Sequence, residues 1–301
     1  MYILTPLSKL SRAIKEDTSS VRETLPSLQT QVVVIRDVQN LQWDAQKLQQ
    51  HDTILQWLSP TDFPAQQHDI IARRHDDTGQ WFLDTPEFKR WLQGFDKTLF
   101  CTGIPGAGKT MMAAIAIDHL CRTTGSDNIG AAYLFCNYKA QADQSAPSLF
   151  AALLKQLVQS QPDIAAPVTH LYNHHSRQKS RPSLKEIFEA LQSVCSNYGV
   201  VYIVVDALDE CADIDGARGL LIDKLHELQA RADIRLLFTS RSIPEVTQKF
   251  QSNPTLEVRA SEVDVRHFVS GQMPRLPKCI QRDEELKQAI QNKIVEAVGG
   301  M

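Results

Sequence analysis

The chain has 301 residues, 43% of them hydrophobic, and a formal net charge of -3. That is enough for one large domain with a smaller appendage and a real apolar core. A charge so near zero excludes the strong basic field that draws in nucleic acid or an anionic membrane.

The cysteines Cys101, Cys121, Cys136, Cys195, Cys211 and Cys279 show no CxxC spacing. They read as small buried hydrophobes in a reducing compartment, not as a disulfide framework or a zinc site. The longest apolar run, Val200 to Val205, is too short for a bilayer, and Met1 to Lys15 lacks a signal-peptide core, so a cytoplasmic protein without a membrane span is expected.

In chain order, residues 1–58 read as a helical, coiled-coil-like segment. Leu28, Val32 and Ile35 form one apolar stripe, and Val38, Leu41, Ala45 and Leu48 continue it on a neighbouring face. Pro26 starts or breaks this amphipathic helix, which reads either as a surface for self-association or protein partners or as a helix packed on the main domain or frayed in solution. The breaker cluster Ser59 to Pro64 marks a domain edge. A short helix is expected over 66–74, then a polar turn at His75 to Gly79. Thr85-Pro86-Glu87 opens a further helix that Gly94 closes.

From residue 98, strands alternate with helices. Strands are expected at 98–102, 130–136, 200–206, 235–240 and 255–258, and helices at 109–122, 146–159, 183–196 and 217–230, then near 262–270 and 283–298. Runs such as Val200 to Val205 are apolar on both faces, as in a parallel sheet covered on each side. The fold class is therefore α/β: an open, mostly parallel five-stranded sheet with helices on both faces, preceded by an amphipathic helix.

Between the first strand and its helix lies Gly103-Ile104-Pro105-Gly106-Ala107-Gly108-Lys109-Thr110, followed by Met111. It fits GxxxxGK[ST], the phosphate-binding loop of nucleoside triphosphatases, in the strand–turn–helix setting that motif requires. The glycines let the backbone curl round phosphates, and the helix N-terminus supplies unpaired N–H groups and a positive dipole end. Lys109 is placed to reach the β- and γ-phosphates, and the Thr110 hydroxyl to ligate Mg²⁺.

Val200 to Val205 runs into Asp206-Ala207-Leu208-Asp209-Glu210. A hydrophobic strand ending in aspartate is the partner of the phosphate loop, with Asp206 expected on Mg²⁺. Asp209 and Glu210 are candidates to orient or deprotonate the attacking water, Glu210 being favoured. Arg241, at the end of Leu236-Leu237-Phe238-Thr239-Ser240-Arg241, reads either as a γ-phosphate sensor or as a surface arginine. His170 and His174, four apart, read as a polar helix face, since no acid or cysteine nearby completes a metal set.

With these residues in hand, the chain resembles the NACHT branch of the STAND P-loop ATPases, and within it the nephrocystin-like N-terminal module of fungal NLR-like proteins with ankyrin or WD repeats. The matching pieces are Leu55 to Pro60, Gly79 to Leu83, GIPGAGKT at 103–110, VVDALDEC at 204–211 and FTSR at 238–241. The resemblance implies ATP or ADP with Mg²⁺ at Lys109, Thr110 and Asp206, assisted by Asp209 and Glu210, with Arg241 as sensor and the turn 75–79 near the adenine. It also implies an extra strand between the P-loop and Asp206 strands, for which 130–136 is the candidate. Its domains are then 1–58, a NACHT-type NTPase at 59–260, and 261–301 as the start of a truncated helical or winged-helix region. The function implied is a slow ATPase acting as an oligomerisation switch; the rival from another class is a non-catalytic nucleotide-binding interaction module. A GTPase fits poorly, because Asp206 is followed at the third position by Asp209 instead of glycine.

Overall fold

A computed structural model describes residues 36–43, 45–75, 78–123, 128–139, 144–161, 164–211, 213 and 216–299. The chain divides into two compact units, Met1–Ile54 and Leu55–Met301. In the first, residues 36–43 and 45–54 are helical, and Val38, Leu41, Trp43 and Leu48 are exposed. The expected stripe at Leu28, Val32 and Ile35, with Pro26, lies outside the described residues.

The second unit opens with α1 (Phe63–Ile71), α2 (Gln80–Asp84) and α3 (Pro86–Gln93). The start of α1 falls inside the breaker cluster, earlier than the expected 66. Asp62 caps it by accepting from the Ala65 N–H at 3.0 Å, and Pro64 sits in the first turn, where its missing N–H costs nothing. The Thr85 hydroxyl likewise caps α3, and Gly94, at φ 84°, closes it in the left-handed region that glycine favours.

The alternating core follows: β1 (Thr98–Thr102), α4 (Lys109–Thr123), β2 (Ile129–Phe135), α5 (Ala146–Gln159), α6 (Ala166–Gln178), α7 (Leu184–Cys195), β3 (Val200–Asp206), a 3₁₀ turn at Leu208–Glu210, α8 (Ala217–Gln229), β4 (Ile234–Ser240), α9 (Pro244–Thr247), a further 3₁₀ turn at Gln248–Phe250 and β5 (Thr255–Glu257). The chain continues through α10 (Glu262–Gln272), α11 (Lys278–Gln281) and α12 (Glu284–Gly299). These last helices belong to the same compact unit as the sheet. Among the described residues no helix is long and apolar enough to cross a membrane.

All five strands are parallel, in the order β2-β3-β4-β1-β5. One expectation needs correction here. Strand 130–136 does lie between the other two in sequence, but in the sheet it is an edge. The strand standing between β1 and β3 is β4, which pairs with both. Hydrophobic pattern sets which residues form strands; it says nothing of the order in which equally apolar strands pair.

Burial explains the layers. β1 is buried throughout and β3 and β4 nearly so, since helices cover both faces. α4 turns Met112 to Ile117 and Leu120 inward and packs with α1, while α5 packs with α7 and α8 in the other layer. Each fully buried Leu, Ile or Phe contributes about 1.5–3 kcal/mol. α5 also covers the free edge of β2: the Gln156 amide donates to the Tyr133 carbonyl at 2.8 Å and accepts from its N–H at 3.0 Å. Backbone groups that would otherwise template another strand are thereby satisfied.

Candidate nucleotide site

Because every strand is parallel, the carboxyl ends of β1, β3 and β4 open on one edge. Thr102 is level with Ser240, and Val205 with Phe238. That edge is where ligands bind in open α/β sheets.

The loop after β1 turns through Gly106 (φ 81°) and Gly108 (φ 89°), and a Cβ on either would meet open space. The demand there is conformational: a left-handed backbone that points successive N–H groups outward. Gly103 meets a steric demand, since a Cβ would stand 2.6 Å from the carbonyl oxygen of Val258, the residue just after β5. The Lys109 ammonium folds back onto its own loop, donating to the carbonyls of Gly103 at 2.8 Å and Ile104 at 2.9 Å. Burial lowers its pKa, and the charges of Asp209 and Asp206 oppose that shift.

Asp206 is 2% exposed. Burial pushes its carboxyl upward, countered by hydrogen bonds from the Thr239 and Thr110 hydroxyls and by the charge of Lys109. Lys109 and Thr110 from one stretch of sequence and Asp206 from another thus stand within interaction reach of each other. After Asp206 the chain turns through Ala207, a non-glycine residue at φ 53°. The 3₁₀ turn then presents Asp209 and Glu210 quite differently. Asp209 is taken up by Arg241: its Oδ2 accepts from the Arg241 Nε–H at 2.5 Å and its Oδ1 from the Arg241 backbone N–H at 2.9 Å. Those bonds and the guanidinium charge outweigh burial and lower its pKa. Glu210 accepts one long bond, from the Tyr138 N–H at 3.4 Å.

Two cavities border the start of α4. One, about 290 Å³, is lined by Thr110, Asp206 and Glu210 together with Asn137, Tyr138 and Lys139 from the segment after β2. The other, about 550 Å³, is lined by Gly106, Ala107, Gly108 and Met111, by His75, Thr78 and Trp81, and by α10 and α12 through Asp264, Phe268 and Ile294. Asp264 ties α10 to the lip of this cavity, accepting from the Trp81 Nε1–H at 2.8 Å and the Gly79 N–H at 3.1 Å. The arrangement offers a phosphate cradle, a carboxylate–hydroxyl pair on one side of it and a largely apolar pocket on the other.

β4, which Arg241 follows, does lie beside β1, the condition its sensor reading sets. Ile104 and Pro105 are exposed on the outside of the turn. Thr239 and Asp264 were not singled out from sequence. Thr239 stood in view within the Thr-Ser-Arg strand end, whereas Asp264 lies 183 residues from its partner Trp81, with no local sign of the contact.

A glycine turn entering a helix, with a buried aspartate two strands away and a third strand between them, defines the P-loop NTPase fold, and the protein is of the nucleotide-binding class. The chain belongs to the nephrocystin 3, N-terminal family, whose model matches residues 77–241. It is a NACHT-type module. Over 227 residues it is 25% identical to the vegetative incompatibility protein HET-E-1 of Podospora anserina, a match spanning 70% of this chain but only 16% of that protein. Among solved structures it is similar to the Aeropyrum pernix ORC1 protein in complex with DNA, at 15% identity and TM-score 0.46, covering 67% of this chain and 50% of that one. A Walker-type ATPase of Pyrococcus abyssi matches at 14% identity and TM-score 0.43, covering 75% and 65%.

Proposed function

We propose that the protein binds Mg-ATP and hydrolyses it slowly, as the nucleotide-dependent switch of a signalling assembly. The observation that carries this is the convergence of the Gly106–Gly108 turn, Lys109, Thr110 and Asp206 on one sheet edge, with Glu210 lining the same cavity. The metal fits the donors present. Among the described residues no set of three His, Cys, Asp or Glu gathers to hold an ion. Thr110 and Asp206 supply hard oxygen donors, and Mg²⁺ takes one or two carboxylates, completing its shell with water and phosphate. Bound there with nucleotide, it would neutralise charge on the phosphates.

The chain's own groups divide the remaining work. N–H groups at the start of α4 bind phosphate. Lys109 exchanges its two loop carbonyls for phosphate oxygens when a triphosphate arrives. Glu210 takes the proton from water at Oε1 or Oε2. Arg241 reads the γ-phosphate from β4. The His75 to Trp81 lip and α10 enclose the base, which places the position of residues 261–301 under nucleotide control. Residues 1–58 pass the change to partners or further copies in the cytoplasm, with 59–260 as the NTPase proper. An incompatibility-type role follows from the likeness to HET-E-1.

Thermal shift tests the binding reading. Saturation at a thousand times the dissociation constant adds about 4 kcal/mol of stability. K109A is expected to abolish the gain, and absence of a shift in the wild type with ATP, ADP or GTP sinks the reading.

A further inference from the structure

The end of β4 carries a buried hydroxyl that is hydrogen-bonded twice to the end of β3 and the residue after it. Thr239 is 1% exposed. Its Oγ1 accepts from the Ala207 N–H at 2.9 Å and lies 2.5 Å from Asp206 Oδ1, to which it donates. A hydroxyl has one proton. With the Ala207 N–H filling an acceptor direction, that proton is aimed at the carboxylate. The bonds run one way: peptide N–H to hydroxyl, hydroxyl to carboxylate.

Two further features fit this relay. Ala207 sits at φ 53°, where a side chain is disfavoured. That turn coincides with the 206–207 peptide N–H facing β4 and with the Ala207 carbonyl accepting from the Glu210 N–H at 2.8 Å. One strained residue thus serves both the hydroxyl and the loop carrying Glu210. The carboxylate itself borders the 290 Å³ cavity beside Thr110. With Oδ1 held against the sheet, the group can no longer rotate freely, and its remaining lone pairs keep a constant aim.

We infer that Thr239 is a positioning residue which acts through Asp206 to set the affinity of the nucleotide site for its divalent cation. This rests on the Mg-nucleotide reading above. Partners that orient a ligating side chain typically govern metal affinity by about 10- to 100-fold. A hydroxyl that merely tied β4 to β3 would affect folding and metal-free nucleotide binding, and would leave the cation dependence alone.

The test is a titration of Mg²⁺ into the 301-residue protein holding a fluorescent ATP analogue, with the analogue's own affinity measured in EDTA. T239V keeps the shape and removes the hydroxyl. We expect the Mg²⁺ concentration at half-effect to rise by about 10- to 100-fold, the affinity in EDTA to stay at the wild-type level, and T239S to restore the wild-type titration. If T239V does not fold, T239A carries the same expectation without setting a methyl against the carboxylate. An unchanged Mg²⁺ midpoint overturns the inference, as does an equal loss of affinity in EDTA and in Mg²⁺. A wild-type protein that binds no nucleotide fails the parent reading instead, and the two failures are told apart by the first titration.

Discussion

Both oxygens of Asp209 are occupied by Arg241, one by the guanidinium and one by the backbone N–H. The two residues come from different strands' ends, 32 positions apart. This removes Asp209 from contention as a free base and makes it the support of the arginine. A charge-assisted hydrogen bond contributes about 1.5–3 kcal/mol when sheltered. Arg241 is half exposed, so roughly 1 kcal/mol is the better figure. D209N should therefore weaken ATP binding about fivefold and ADP binding less. Paired calorimetric titrations with the two nucleotides check this. Equal losses for ATP and ADP would place Arg241 away from the γ-phosphate.

Glu210 stands in the opposite condition. Among the described residues its side chain accepts only the long bond from the Tyr138 N–H, and the carboxylate lines the cavity. E210Q keeps the shape and discards the base. Phosphate release should fall by about 10²–10⁴-fold, the usual contribution of a positioned base, while ATP affinity is retained. Wild-type release no faster than that of E210Q would instead identify a binding module without turnover.

How much of this was legible in the sequence depends on range. The phosphate loop is a local event: its glycine spacing is set by the backbone angles that Gly106 and Gly108 adopt. The interior strands announced themselves because residues such as Val201 to Val205 are buried on both faces. Helix α6 gave little warning. Its start has no side-chain cap, and Val168 and Leu171 stand among histidines and polar residues. Sheet order was not legible, and with it went the insight that β4 ends beside both acidic positions. The Asp209–Arg241 and Asp206–Thr239 bonds follow from that order, so motif reading named three of those residues without their partnership.

The lip of the larger cavity depends on a glycine that the sequence marks as the end of a polar turn and the start of a family-like stretch. Gly79 has φ 72°, donates its N–H to Asp264 and packs so tightly on α4 that a Cβ would stand 2.4 Å from Ile115 Cδ1 and 2.9 Å from Met112 Cε. Those neighbours are side-chain ends that can shift, so backbone strain is the main cost. G79A should destabilise the protein by about 1–2 kcal/mol in urea melts. D264A leaves Gly79 and the Trp81 indole without their acceptor. Amide exchange across 262–272 should then accelerate, with β1 and β3 unaffected. Unchanged exchange in α10 would mean that its other contacts, such as Phe268 against His75, suffice to hold it.

Helix α7 carries a pH-dependent element of stability remote from the nucleotide cavities. Glu186 closes a capping box with Ser183: its Oε2 accepts from the Ser183 hydroxyl at 2.7 Å and backbone N–H at 2.8 Å, while Oε1 contacts His175 Nε2 at 3.1 Å. These bonds, the Ser183 hydroxyl foremost, lower its pKa from 4.5 to about 2. A carboxylate depressed by folding binds its proton more readily in the unfolded chain. Its contribution is therefore full above pH 4.5 and is lost as pH falls towards 2. E186Q keeps the shape and an acceptor but removes the charge, so it should lower stability at pH 7 by about 0.3–1 kcal/mol, the usual worth of a carboxylate in a helix's first turn. The gap between E186Q and wild type should narrow below pH 4.5 and close near pH 2, provided the fold survives there. Chemical denaturation at stepped pH measures it. A gap of constant size down to pH 3 would show that the glutamate is held by shape and not by its charge.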